Sequence, residues 1–250
     1  MNAWEAIAVL AAGAGAGAIN TLVGSGTLFT FPVLLACGVP PVTAAISNSI
    51  GLTPGSVAGV FGYRRELSGQ RARVLRFGAM SLLGALTGGI LLLNLPERVF
   101  TSVAPVLILL ACTLIVFQPR INAWTRARRA ARPNGGPLLQ LGVYGAGVYG
   151  GYFTAAQGVI LISLLGSSLN DDMQRLNALK NVLALIVNAS VATFYLVFAQ
   201  PNWTAAALIA TGSVVGGYLG ARFGRRLSAT GLRVLVVLIG LTAAVQLVLR

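Results

Sequence analysis

The sequence predicts an all-α, polytopic helical membrane protein built from two inverted four-segment repeats, the first segment of each repeat being broken or re-entrant. Three observations predict it. The 250 residues are 56% hydrophobic and only 9% charged, with a mean hydropathy of +0.82. Apolar stretches of the roughly 20 residues that a spanning helix needs follow one another almost end to end. Basic residues gather in the short breaks between those stretches, and the side they mark changes from one half of the chain to the other.

The first stretch, 7–36, exceeds one crossing and is interrupted at Gly24-Ser25-Gly26, with Pro32 beyond. Stretches 41–63, 74–95 and 99–117 complete the first half, and 138–166, 176–199, 203–223 and 232–249 form the second. The short alternating segments of a β-barrel are absent. The longest polar break, 118–137, carries Arg120, Arg126, Arg128, Arg129 and Arg132. It divides the chain into a first membrane repeat (1–117), a basic cytoplasmic linker (118–137) and a second membrane repeat (138–250). At an offset of 132 residues Gly26 falls on Gly158, Tyr63 on Tyr195, and Gly84 and Gly88 on Gly216 and Gly220. Transporters are commonly built from such internal repeats.

Loop charge orients the halves. The break after the second segment holds Arg64, Arg65, Arg71, Arg73 and Arg76, while its counterpart, 200–202, holds none. The next break holds Arg98 alone in the first half but Arg222, Arg225 and Arg226 in the second. The positive-inside rule then puts 64–76, 118–137, 168–175 and 222–231 in the cytoplasm and inverts the halves. Stretch 138–166, with Gly145, Gly147, Gly150, Gly151 and Gly158 inside it, must start and finish on one side, as a hairpin. The rival arrangement makes each long segment a single tilted helix, giving eight crossings and parallel halves.

Several function classes are excluded. The net charge of +13 sits at segment ends with no basic domain, so nucleic acid is not a partner. Cys37 and Cys112 lack metal or redox spacing and read as packing residues. The first stretch lacks a basic leader and reads as a retained segment rather than a signal peptide. Without histidine there is no Ser-His triad or histidine metal site. The five acids, Glu5, Glu66, Glu97, Asp171 and Asp172, lie near segment ends and offer no buried dyad. No catalysis, cofactor or metal is expected. Asp171-Asp172 either caps the following helix or ligates a cation.

A small-anion site is better supplied. A helix restarting at Gly26-Thr27 or Gly158-Val159 presents unpaired backbone N–H groups and a positive dipole end. Gly24 and Gly26 admit a ligand to the backbone, and Ser25, Thr27 and Gln157 add side-chain donors. The repeat sets Asn48 opposite Lys180 and Ser49 opposite Asn181, with Ser47 and Asn177 nearby. Lys180 is the only lysine among eighteen basic residues and stands near the start of an apolar stretch. It either meets the substrate or anchors a helix end by snorkelling.

Residues 17–32, running through Gly24-Ser25-Gly26-Thr27 to Pro32, resemble the first-segment signature of the TauE/SafE family of membrane anion permeases. The alanine-rich approach Ala44-Ala45-Ile46-Ser47-Asn48-Ser49 resembles its next landmark. Tyr149–Phe153, Asn177–Asn181 and the glycine-rich Gly212–Gly220 are similar to later ones, so the resemblance covers nearly the whole chain. Gly24-Ser25-Gly26-Thr27 and Ala155-Ala156-Gln157-Gly158 depart from the fuller glycine runs of the family. The resemblance implies a multi-pass permease of the bacterial inner membrane, exporting a small anion such as sulfite or a sulfonate by alternating access. Its partners are then that anion and the lipid bilayer, with a homo-oligomer left open. The alternative from another class is a membrane scaffold or accessory subunit without transport of its own.

Overall fold

The computed structural model describes residues 1–127, 135–223 and 229–248. Ten helices and no strand occur among them. The first half holds α1 (Ala3–Leu22), α2 (Thr27–Ala36), α3 (Pro41–Gly62), α4 (Arg71–Asn94) and α5 (Glu97–Ala127). The second holds α6 (Pro137–Tyr152), α7 (Gln157–Ser168), α8 (Met173–Phe198), α9 (Trp203–Phe223) and α10 (Ala229–Val248). Helices α3, α4 and α5 start at residues 41, 71 and 97, and α8, α9 and α10 start 132 residues later, at 173, 203 and 229.

Each long first segment is two helices rather than one. The short leg turns back along the long one: Gly26 packs beside Ala16 and Gly15 beside Phe29, while Gly150 packs beside Gln157 and Gly142 beside Leu164. At 1.5 Å of rise per residue, α2 and α7 reach only about half the hydrocarbon thickness. A single tilted helix per segment is not what folds. Among the described residues, α1, α4, α5, α8 and α9 are long and apolar enough to cross a membrane. Helix α3 has the length but carries Ser47-Asn48-Ser49, Thr53 and Pro54 in its middle.

Helix α5 continues through Gln118 to Ala127, well into the expected linker. Gln118 and Arg120 end the apolar character of the segment without ending the helix, which runs on through Pro119. Arg128, Arg129 and Arg132, together with Arg225 and Arg226, lie outside the described residues. Helix α8 starts at Met173, a turn earlier than hydropathy alone indicates. Asp172 caps it, accepting the Gln174 N–H at 2.8 Å.

The basic breaks converge at one end of the bundle. Arg73 Nη1 donates to Asp171 Oδ2 at 2.5 Å, and Arg175 Nε donates to Asp171 Oδ1 at 2.9 Å. Gln70 Nε2 donates to the Arg175 carbonyl at 3.0 Å, and Arg233 Nε to Gln118 Oε1 at 3.3 Å. This basic end holds both the start of α6 and the finish of α7. Trp4 and Trp203, both exposed, stand at the opposite end, as aromatic residues do at a bilayer interface.

Partial burial pushes the Asp171 carboxyl up. The Arg73 hydrogen bond, the Asp172 N–H and the charges of Arg175 and Arg73 outweigh it, holding the group below the ordinary carboxylate value. The sign follows: this stabilisation is present above the unfolded carboxylate pKa and is lost as pH falls through the folded one. Asp171→Asn should therefore lower the melting temperature of the purified protein at neutral pH, by about 1 kcal/mol or less in stability. Melting curves of both proteins, taken down to acid pH, should converge.

In lipid, apolar surface does not drive helices together, so close backbone approach does. Gly84 lies against the Tyr144 carbonyl and Gly88 against that of Val148 where α4 crosses α6; Gly216 and Gly220 meet Ala14 and Ala18 where α9 crosses α1. Large side chains such as Leu109, Leu141, Val197 and Leu238 point outward.

Candidate functional site

The two breaks meet backbone to backbone. Gly24, in the left-handed region with φ +84°, offers its carbonyl to the Gly158 N–H at 3.0 Å. A Cβ on either glycine would lie 2.4 Å from the other's Cα. The second break holds Thr154 and Ala156 at φ 65° and 56°, the positive-φ non-glycine residues among those described. Strained backbone of this kind persists only where its surroundings over-determine it, and it concentrates at functional sites.

The N-terminal ends of the short legs face this junction. The N–H groups of Ser25, Gly26 and Thr27 find no acceptor among the described residues. Ser25 is buried and its Oγ has no partner; Gln157 is buried and its Nε2 has none. These two residues occupy the same place in the two halves, 132 residues apart. A buried polar atom without a partner costs about 1–3 kcal/mol. Two such atoms stand at the junction with three unpaired N–H groups and the positive ends of two helix dipoles, and groups of this kind favour an anion.

Other polar side chains fix the hairpins. Asn48 Nδ2 donates to Thr27 Oγ1 at 3.0 Å, and Asn48 Oδ1 accepts from Thr30 Oγ1, so Asn48 grips the first turn of α2. Ser49 Oγ lies 3.4 Å from Thr154 Oγ1 in the other break. Gly158 is at the junction, but its N–H is already taken by Gly24. Ser47 is engaged elsewhere: its Oγ accepts the Asn202 N–H at 2.8 Å, before the start of α9.

Lys180 lies two turns inside α8 and is 1% exposed, so it does not snorkel. Its Nζ donates to the carbonyls of Thr21 at 3.2 Å and Asn20 at 3.4 Å, in the last turn of α1. The matching end of α6 is closed by a neutral donor, Tyr195 Oη, on the Gly151 carbonyl at 2.8 Å. Asn181 Nδ2 is buried without a partner, at a cavity of about 10 Å³ lined by Asn20, Thr21, Ser56, Gly59, Asn181 and Ala184. Asn20 and Asn188 both donate to Ser56 Oγ, at 3.3 and 3.1 Å, and bridge helices.

Asn177 lines a cavity of about 220 Å³ at the basic end, with Leu22, Tyr63, Gln118, Gln174 and Arg233 among its other walls. Towards the opposite end the junction is covered by aromatic rings: Phe31 meets Phe153 at 5.4 Å, and Phe100 meets Phe153 at 5.9 Å and Tyr152 at 5.7 Å. Sequence reasoning missed Arg233 and Gln118. Arg233 falls inside a predicted apolar stretch, and that displacement from the loop arginines was the available signal.

A family model described as sulfite exporter TauE/SafE matches residues 9–247. The chain is 28% identical over 225 residues to the probable membrane transporter protein YfcA of Escherichia coli strain K12, covering 85% of this chain and 76% of that protein. It is 24% identical to a probable membrane transporter protein of Haemophilus influenzae, covering 92% of this chain and 89% of the relative. It is also 24% identical to the probable membrane transporter protein ORF9 of a Sinorhizobium species, at 93% and 88% coverage. No solved structure matches. With a match that runs from α1 into α10 and takes in both breaks, this helical membrane protein belongs to the TauE/SafE family.

Proposed function

We propose that the protein is a permease carrying a small anion, such as sulfite or a sulfonate, across the bacterial inner membrane by alternating access between two inverted repeats, 1–117 and 138–250. Export is the direction in keeping with the family description. The carrying observation is the junction itself: two half-helix N-termini, one from each half, with the buried Ser25 and Gln157 left unpaired. Broken helices at matching places in two repeats are the usual construction of a transporter midplane site. Inversion is supported by the hairpins, since α6 and α7 start and finish at the basic end while the α1–α2 hairpin opens towards the other.

In this account the anion accepts hydrogen bonds from Ser25 Oγ, Gln157 Nε2 and the N–H groups of Ser25, Gly26 and Thr27. Asn48 and Ser49 hold the two breaks in place. Lys180 and Asn181 stand behind the seat and contribute field rather than contact. The basic-end cavity is the cytoplasmic access route, with Arg233 and Asn177 on its wall, and the Phe31–Phe100–Phe153 cluster closes the periplasmic side.

Liposomes loaded with unlabelled sulfite and containing the protein should accumulate labelled sulfite by exchange. Exchange no faster than in protein-free liposomes, for sulfite and for small sulfonates alike, would overturn the proposal. Arg233→Gln should raise the half-saturating concentration about tenfold while sparing the maximal rate, because a charge on the access route works through encounter and local concentration. The comparison is made by exchange kinetics on the cytoplasmic face.

A further inference from the structure

The charged groups of this protein lie at its ends, with one exception. Lys180, on α8, is buried against the end of α1, and no carboxylate is bonded to it among the described residues. What it has instead is the last turn of α1. The final carbonyls of a helix lack intrahelical partners and form the negative end of its dipole. In transporters with broken helices, such ends coordinate a coupling cation. Here two carbonyls that would ligate one, those of Asn20 and Thr21, accept from an ammonium group.

The surroundings fit a cation as well as an ammonium group. The neighbouring cavity is walled by Asn20, Thr21, Ser56, Gly59, Asn181 and Ala184; the carbonyl, amide and hydroxyl oxygens of the polar four can face a cation, and Asn181 Nδ2 is the unpartnered donor there. At about 10 Å³ it is no larger than a single water-sized sphere while the lysine side chain is in place. The other half supplies the control. The end of α6 is closed by the Tyr195 hydroxyl, which brings no charge.

We infer that Lys180 is a built-in cation, occupying at the end of α1 the position a coupling ion would fill, so that transport by this protein needs no sodium or other alkali cation. The inference rests on the permease function proposed above. Wild-type exchange should be the same in sodium, lithium, potassium and choline media. Shortening the side chain should expose the vacated carbonyls to a real ion. Lys180→Ala, with Lys180→Asn as a second short variant, should lose roughly tenfold or more of the exchange rate in choline, the worth of a charge-assisted hydrogen bond or two. Sodium or lithium should restore most of it. Lys180→Met fills the space without charge and should stay inactive in every medium.

A second readout does not depend on transport. The melting temperature of purified Lys180→Ala should rise with sodium or lithium concentration, and that of wild type and Lys180→Met should not. Short variants that respond to no alkali cation, by rate or by melting, would overturn the inference, and so would equal rescue of Lys180→Met. A wild type that moves no anion would instead refute the permease function, leaving the melting experiment to decide the role of Lys180.

Discussion

Gly158→Ala should reduce anion exchange to the level of protein-free liposomes. The added methyl carbon would lie 2.4 Å from the Gly24 Cα and 3.0 Å from its carbonyl oxygen, and both neighbours are backbone. Neither can swing aside as a side-chain tip would. Overpacking a well-packed core costs about 1–3 kcal/mol, and relief here requires separating the two breaks. The Gly158 N–H bond to Gly24 is lost with them. Gly24→Ala meets the same obstruction, and its left-handed φ of +84° adds about 1–2 kcal/mol for a side-chain-bearing residue. Gly145→Ala is the matched control. Beyond its own turn of helix no atom lies within 4 Å of its would-be Cβ, and alanine in a helix interior is favoured over glycine by about 0.5–1 kcal/mol. That variant should transport normally and melt no lower than wild type.

Ser25→Ala and Gln157→Leu should separate function from stability. Each removes a buried polar atom that has no hydrogen-bond partner among the described residues, Ser25 Oγ or Gln157 Nε2. Truncating such an atom relieves a desolvation penalty of about 1–3 kcal/mol, so the melting temperature should hold or rise. The same truncation removes a donor to the anion, worth about 1.5–3 kcal/mol in a charge-assisted bond. That corresponds to roughly a tenfold to hundredfold loss of affinity for each variant. A residue that merely fills space in the core behaves the other way, with stability falling first. Exchange kinetics and melting curves on the same preparations distinguish the two.

How much of this was legible in the sequence depended on whether a signal was local. The broken first segments were, because Gly24-Ser25-Gly26 and the glycines of 145–158 interrupt stretches too long for one crossing. The 132-residue offset was legible in Tyr63 and Tyr195 and recurs in the starts of three helix pairs. The candidate site was half legible: Ser25 and Gln157 stood out as polar residues at the breaks, but the unpartnered state of Ser25 Oγ and Gln157 Nε2 is a property of packing. Lys180 was conspicuous by composition and ambiguous by position. Its depth depends on α8 starting at Met173, set by the Asp172 cap, and on the end of α1 lying against it. Arg233 and Gln118 were missed because their contact joins residues 115 apart, which no pattern along the chain encodes.

The most direct test of an anion seat between the breaks is labelled-sulfite exchange by the double variant Ser25→Ala, Gln157→Leu in liposomes, with its melting curve taken in parallel. The predicted result is exchange at the protein-free level from a protein that melts no lower than wild type. Exchange at the wild-type rate would contradict it.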